Sequence, residues 1–308
     1  MDFRQLHYML KVAEEKSFSK AAKKLYISQP SLSQYISNVE QQLGVRLFDR
    51  TTNPLTLTYA GELYEETAKN ILYLKDQLLS QMDDIANLQR GHITIGISPF
   101  RSTYFLPTIL PLFKKNYPGI DVSLAEGTMA ELLELAINGA TDFSIMTLPI
   151  PGELMSYDPI MTEEIFVALP PNHYLCQQLP HTHGSSSARP KLNLGLLRDE
   201  PFIILKQGQR MNQVALELCK RACFKPKIIL ETKNIEAAHA LVAAGMGITF
   251  IPDTLVGFGN MPERPVYFSL EDLQPTRTIV IAYRKGRYLS KAARKFIAMT
   301  KDVMTPTR

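Results

Sequence analysis

Between Ser17 and Arg50 the chain reads SFSKAAKKLYISQPSLSQYISNVEQQLGVRLFDR, which leaves room for two short helices and one tight turn. Ser17 is placed to cap a helix running to about Leu25, with Ala21, Ala22 and Leu25 inward. The adjacent alanines let a second helix come close. Tyr26 and Ile27 form the turn. Ser28 then caps a longer helix, and Pro30 falls in its first turn, where a missing N–H costs nothing. Leu32, Ile36, Val39 and Leu43 make one apolar stripe, and Gly44 is the expected left-handed stop. An earlier helix, about Phe3–Glu15, turns Leu6, Met9, Leu10 and Ala13 inward.

The second helix of the pair carries Gln29, Ser31, Ser33, Gln34 and Ser37 away from its stripe, near the positive helix end. Ser and Gln are short or planar hydrogen bonders without negative charge. They suit base edges and phosphate oxygens, where Glu would be repelled. This is the pattern of a helix-turn-helix. The same residues would also serve as a solvated face on an ordinary three-helix domain.

Charge is distributed unevenly. Residues 1–57 hold eight Lys/Arg against five Asp/Glu, and residues 58–90 hold three against six. A basic head before an acidic segment suggests a head that meets a polyanion. The whole chain has 308 residues and a net charge of +4. That length calls for more than one core. The three cysteines cannot form a disulfide framework, there is no long apolar run, and MDFRQLHYML does not resemble a signal peptide. These features suggest a cytoplasmic protein with no membrane partner.

From Tyr59 to about Leu88 there is no Pro and only one Gly, Gly61. Ile71, Leu74, Leu78, Ile85 and Leu88 follow a near-heptad spacing that Gln81 interrupts. Such a stripe packs either on a partner helix or on its own chain.

After it, strand-like RGHITIGI, GIDVSLAEG and TDFSIMTL alternate with helical FLPTILPLFKKNYP and TMAELLELAING. The alternation returns in PFIIL, QVALELCKRACF, KIILET, IEAAHALVAAG and GITFIP. TIVIAY and SKAARKFIAMTKDV close the chain and are expected to return to the first lobe. EIFVALPPNH (164–173) reads as the crossing between lobes. This predicts two α/β lobes with mostly parallel strands and a crevice where helix N-termini converge.

The head resembles the DNA-binding domain of LysR-type transcriptional regulators. The likeness rests on Ser17-Phe18, Ala21-Ala22, Leu25, Ser28-Gln29-Pro30-Ser31-Leu32-Ser33, Ile36, Glu40, Leu43-Gly44, Leu47-Phe48, Arg50, Leu57-Thr58 and Ala60-Gly61. It implies that Gln29, Pro30, Ser31, Ser33 and Gln34 face the major groove, with Ser28 and Ser37 beside them. It also implies that Arg50–Thr56, including Thr51, Thr52 and Asn53, form a wing at the minor groove. Gln34 stands where the family often has Arg, and Asn53-Pro54 where the wing often has a basic residue. The resemblance further implies a linker helix paired across a dimer and a body like type 2 periplasmic binding proteins. EGT, DFSIM and LVAAGMGITFIP fit that body.

The expected architecture is therefore an α+β multi-domain chain. A winged helix-turn-helix (1–58) leads into a linker helix (59–90) and a two-lobed α/β effector-binding domain (91–308). Lobe I is 91–163 with 267–308, and lobe II is 164–266. Candidate effector contacts are Ser98, Arg101, Thr128, Thr147, Lys206, Gln209 and Arg210, with Gly247 admitting close backbone approach. Hydroxyls, helix starts and cations together suggest an anionic inducer. His173, Cys176, His181 and His183 are metal-capable types, but their Ser- and Pro-rich setting reads as a mobile surface loop. Cys219 and Cys223, four apart, suit helix packing better than a disulfide.

No nucleotide-binding, metalloprotease or serine-hydrolase motif is present, so neither an enzyme, a cofactor nor a metal is expected. The expected function is transcriptional regulation by a homodimer or homotetramer. Its partners would be double-stranded operator DNA, a small-molecule inducer and, as a further contact, RNA polymerase. The alternative is a small-molecule-binding protein without sequence-specific regulatory DNA function.

Overall fold

The structure is a computed structural model and describes residues 2–85, 91–178, 189–256, 263–271 and 275–304. Two compact units separate in it, one reaching through the long helix and the other holding the body.

The first unit contains α1 (Phe3–Glu15), α2 (Phe18–Lys24) and α3 (Gln29–Leu43). A ribbon of β1 (Phe48–Asp49) and β2 (Thr56–Leu57) follows, then α4 (Tyr59–Ile85). Asp2 caps α1 reciprocally. Its carboxylate accepts from the Gln5 amide at 2.8 Å, and the Gln5 side chain accepts from the Asp2 N–H at 3.0 Å. Ser17 and Ser28 cap α2 and α3, each typically worth about 1 kcal/mol. Gly44 ends α3 at φ 71°. The core gathers Met9, Val12, Ala21, Ala22, Leu32, Ile36, Val39, Leu47 and Phe48. Leu43 lies outside it and is exposed. Gly61 has a steric reason: a Cβ there would meet the Leu47 carbonyl oxygen at 2.0 Å.

Helix α4 runs 27 residues, about 40 Å at the usual rise. Leu74 and Leu78 are exposed, as are Leu63, Leu79 and Met82, while Ile71 is half-buried. The Ile85 side chain and Leu88 lie outside the described residues.

In the second unit, one sheet takes the order β4 (Ile120–Glu126), β3 (Gly91–Ile97), β5 (Phe143–Thr147), β12 (Thr276–Arg284), β6 (Met155–Leu169). Helices α5 (Pro99–Tyr104), α6 (Leu106–Asn116), α7 (Met129–Ile137) and α11 (Lys291–Met304) belong to this first lobe. Strands β3, β4 and β5 are parallel, but β12 runs antiparallel to both β5 and β6. The sheet is therefore mixed rather than mostly parallel, because β12 enters from the far lobe.

The second lobe is built on the far end of β6. There β10 (Thr249–Pro252) and β11 (Val266–Leu270) pair with it, and β7 (Lys191–Leu192) pairs with β11. Beside them lie β8 (Pro201–Leu205) and β9 (Lys227–Thr232), with α8 (Tyr174–Gln178), α9 (Arg210–Arg221) and α10 (Ile235–Ala243).

Two sequence expectations shift here. The crossing is one 15-residue strand that begins at Met155, well before 164. The return to the first lobe was expected from 267. However, Val266, Tyr267, Phe268 and Leu270 pack in the second lobe's core, so the return comes after Leu270.

Candidate DNA-reading face and effector cleft

On α3, Gln29, Pro30, Ser31 and Gln34 are exposed, and Ser33 and Ser37 are half-buried. Their polar groups are not equally available. The Ser28 hydroxyl accepts from the Ser31 amide at 3.2 Å and shares a 2.6 Å hydrogen bond with the Ser31 hydroxyl. Gln34 donates to Asn38 Oδ1 at 2.9 Å. Among the described residues, the side chains of Gln29 and Ser33 make no hydrogen bond, which leaves both free to bind.

The wing is braced from within. Arg50 donates to the Ser37 hydroxyl at 3.1 Å and to Glu40 Oε2 at 3.0 Å, with its guanidinium 5.2 Å from the Phe18 ring centre. Glu40 Oε1 meanwhile accepts the Leu47 and Phe48 amides at 2.8 and 3.2 Å. Thr51 donates to Asp49 through both its amide and its hydroxyl, which holds the Asp49 carboxyl below its usual range. Thr52 bonds the Asp49 carbonyl and Thr56. Asn53 is exposed at the tip. Arg50, Thr51 and Thr52 thus hold the wing's shape. The sequence marked Glu40 only as a motif position, and its bracing role depends on groups brought near by the fold.

In the body, a cavity of about 500 Å³ opens between the lobes. Ser98, Arg101, Thr128, Thr147, Gln209 and Arg210 line it. Arg277, Lys233 and Asn234 also line it and were not marked in the sequence. The starts of α7, α9 and α10 all reach its wall, through Thr128–Met129, Gln209–Met211 and Asn234–Glu236. Unpaired amides at such starts attract anions.

Two expected contacts lie elsewhere. Lys206 is exposed and does not line the cavity. Gly247 does not line it either. A Cβ there would meet the Pro201 carbonyl oxygen at 2.5 Å, so this glycine serves the packing of β8.

The expected cations are largely engaged. Arg101 is 5% exposed and donates to Glu163 Oε1 at 2.7 Å and Oε2 at 3.4 Å. Arg210 donates to Gln213 at 2.7 Å and, across the cleft, to the Leu148 carbonyl at 3.2 Å. Tyr104 also reaches across to Glu236. Burial first, and then this hydrogen bond, push its hydroxyl up to about 12.

Thr128 forms a capping box. Its amide and hydroxyl donate to Glu131 Oε2 at 2.7 and 2.8 Å, which lowers the Glu131 pKa. Gln209 donates to the Lys233 carbonyl at 3.0 Å. Ser98 caps α5 by accepting the Arg101 amide at 3.4 Å. Thr147 is buried at the end of β5.

Among the described residues no three His, Cys, Asp or Glu side chains group as metal ligands, and His181 and His183 fall outside those residues. His173 lies 3.3 Å from Glu200 and stacks on Tyr174. Burial pushes the Cys176 thiol up to about 11 and Cys219 to about 12, which makes both poor nucleophiles. Cys223 is exposed beyond α9 at φ 60°.

Comparison with known proteins agrees with this geometry. Residues 3–62 match the sequence model of the bacterial regulatory helix-turn-helix protein, lysR family, and residues 86–305 match that of the LysR substrate binding domain. The HTH-type transcriptional regulator YcgK of Bacillus subtilis is 32% identical over 319 residues, covering 100% of this chain and 96% of that protein. A Corynebacterium glutamicum OxyR C206 mutant superposes with a TM-score of 0.61 at 27% identity, covering 99% of this chain and 93% of that one. Full-length CbnR complexed with its target DNA shares the fold, with a TM-score of 0.67 at 23% identity over 98% of this chain and 100% of that one. The chain thus belongs to the LysR family and is a non-enzymatic transcriptional regulator, with a DNA-binding helix-turn-helix and an effector-binding domain.

Proposed function

We propose that the protein regulates transcription in response to a small anionic inducer held between its lobes. The observation that carries this reading is the meeting of three helix starts, from both lobes, on one cavity lined by the Ser98 and Thr128 hydroxyls. Four cations and three carboxylates line the cavity, so net charge alone does not select an anion. All three carboxylates are already engaged, Glu131 by Thr128, Glu126 by the Ser102 hydroxyl and Glu236 by the Tyr104 hydroxyl. The oriented amides are what favour negative charge.

On the DNA side, Gln29 and Ser33 read base edges, while Ser28, Pro30, Ser31, Gln34 and Ser37 shape and flank that face. The wing of Arg50, Thr51, Thr52 and Asn53 lies along the neighbouring groove. Exposed Leu74 and Leu78 support pairing of α4 in a homodimer, or in a homotetramer built from two such pairs. Free cysteines and the lack, among the described residues, of any helix long and apolar enough to cross a membrane support a cytoplasmic setting. RNA polymerase is the further partner through which a bound regulator would act.

A gel shift with DNA from upstream of the protein's own gene, repeated across a panel of small carboxylates, tests the reading. Sequence-specific retention that one carboxylate alters supports it. Retention that is indifferent to sequence would leave only a small-molecule-binding protein.

A further inference from the structure

We propose that Arg277 is the cation that receives the inducer's anionic group, and that Glu163 is the positioning residue that aims it. This rests on the reading of the cleft as an anion-binding effector site, and it names the side chains that make the choice.

Arg277 stands on β12 directly opposite Glu163 on β6. Glu163 is fully buried and its carboxylate holds three neighbours. Arg101 binds it through both terminal nitrogens, Arg277 through Nε, and Thr254 through its hydroxyl at 3.2 Å. Burial alone would raise the Glu163 pKa. The two guanidiniums outweigh burial and lower it, so the side chain stays ionised. Asp253 lies in the same neighbourhood, accepts the Glu164 amide at 3.0 Å, and is pushed up chiefly by burial.

The two arginines differ in what they have left to give. Arg101 already gives to Glu163 the paired terminal nitrogens that would clasp an oxyanion. Arg277 is held by Nε alone, and its two terminal nitrogens have no hydrogen-bond partner among the described residues. Yet its side chain is only 9% exposed, and it lines the cavity. Those terminal nitrogens are not among the buried polar atoms left without a partner, so they are reached from the cavity rather than sealed in the core. The free edge is a planar double donor, which matches a carboxylate or another oxyanion. With Nε pinned from behind, that edge is presented to the cavity before any ligand arrives, which reduces the ordering cost of binding.

The location adds a consequence. Strand β6 pairs with β12 as far as Glu164, and from Ile165 onward it pairs with β10. Glu163 therefore sits where the strand passes from one lobe to the other. It bonds Arg101 of the first lobe and Thr254 of the second. An anion drawn onto Arg277 pulls on the same carboxylate that ties the lobes together.

The test uses the full chain, with sodium sulfate as the oxyanion probe and sodium chloride at matched ionic strength as control. Melting temperature and the side-chain NMR signals of ¹⁵N-labelled arginine are followed. Wild type should show a saturable, sulfate-specific rise in melting temperature. Arg277→Gln should weaken sulfate binding about tenfold, and Arg277→Lys should fall between, because it keeps the charge without the fork. Glu163→Gln keeps an acceptor for Nε but removes the competing charge, so sulfate should bind several-fold tighter. If that variant does not fold, Glu163→Asp retains the charge but withdraws the carboxylate, and should weaken sulfate binding.

Equal sulfate affinity in wild type and Arg277→Gln, or no sulfate-specific effect in wild type, overturns the assignment. Unchanged affinity in the foldable Glu163 variant overturns the positioning role. A carboxylate inducer that binds Arg277→Gln unimpaired would sink this inference and leave the cleft reading intact. Loss of the cleft reading would appear instead as wild-type operator binding that no carboxylate in the panel alters.

Discussion

Glu40 Oε2 accepts Arg50 at 3.0 Å while Glu40 Oε1 accepts the Leu47 and Phe48 amides, so one carboxylate fastens the wing to the reading helix. Glu40→Ala leaves two amides unpaired and should cost the head roughly 2–3 kcal/mol. Arg50→Ala removes only a half-exposed partner. It should leave the fold nearly as stable while weakening operator binding. Thermal melts alongside gel shifts separate the two. A Glu40→Ala head as stable as wild type would mean the clamp is incidental.

Gln29 and Ser33 are hydrogen bonders near the start of α3 whose side chains have no partner among the described residues. Alanine at either should weaken operator binding by about 1–3 kcal/mol and relax preference at one base position. Alanine at Ser28 should act differently, destabilising the head through a lost cap. Operator affinity is measured for all three, with specificity read from a randomised site. Undiminished affinity in both the Gln29 and Ser33 variants would show that another face reads the DNA.

Leu78 is 55% exposed on α4. Leu78→Asp would bury a charge in the proposed seam between paired helices and should split the oligomer. Light scattering gives the mass directly. A variant of wild-type mass and DNA affinity would place the contact elsewhere.

Thr128→Val keeps the side chain's shape and loses its hydroxyl. The capping box breaks, at a cost of about 1 kcal/mol in stability. Where the inducer takes over from Glu131 as acceptor of that hydroxyl proton, a carboxylate should bind the variant roughly tenfold more weakly, as expected when a hydrogen bond to a charged group is lost. Calorimetric titration would show this, and equal affinity would remove Thr128 from the contact set.

His239 is buried, shares a 2.8 Å hydrogen bond with the Tyr267 hydroxyl, and is held down at about 4 by burial. The unfolded histidine takes up a proton near its ordinary value of about 6.5, before the folded one does. Its contribution is therefore complete above that value and is lost as pH falls toward 4, up to roughly 3 kcal/mol. Denaturation midpoints across this range should fall in wild type and flatten in His239→Gln. Parallel curves would assign the acid sensitivity to other groups.

Much of the head could be read locally, because Ser17, Ser28 and Gly44 mark helix ends within a turn of where they act. The body was harder for reasons that are not local. Arg101 follows a strand and looks like a surface or ligand cation, and only the tertiary fold brings Glu163 within hydrogen-bond reach of it. Arg277 likewise shows no local sign of its place, because only the register of β6 against β12 sets it opposite Glu163. Gly247 has the look of a cavity glycine, but it is needed to let Pro201 approach. Pro159 and the charged residues around it hid the first half of β6. Leu63, Leu79 and Met82 escaped because a strict heptad reading skips the positions next to its seam.

Strand β12 lies in the middle of the first lobe's sheet, between β5 and β6. Its residues follow every strand of the second lobe in the order of synthesis. The second lobe has all its strands once Leu270 has emerged. The first lobe, begun almost two hundred residues earlier, still has a gap between β5 and β6 at that point. Vectorial synthesis should therefore complete the body in reverse of its reading order, leaving the open edges of β5 and β6 exposed until the final strand arrives.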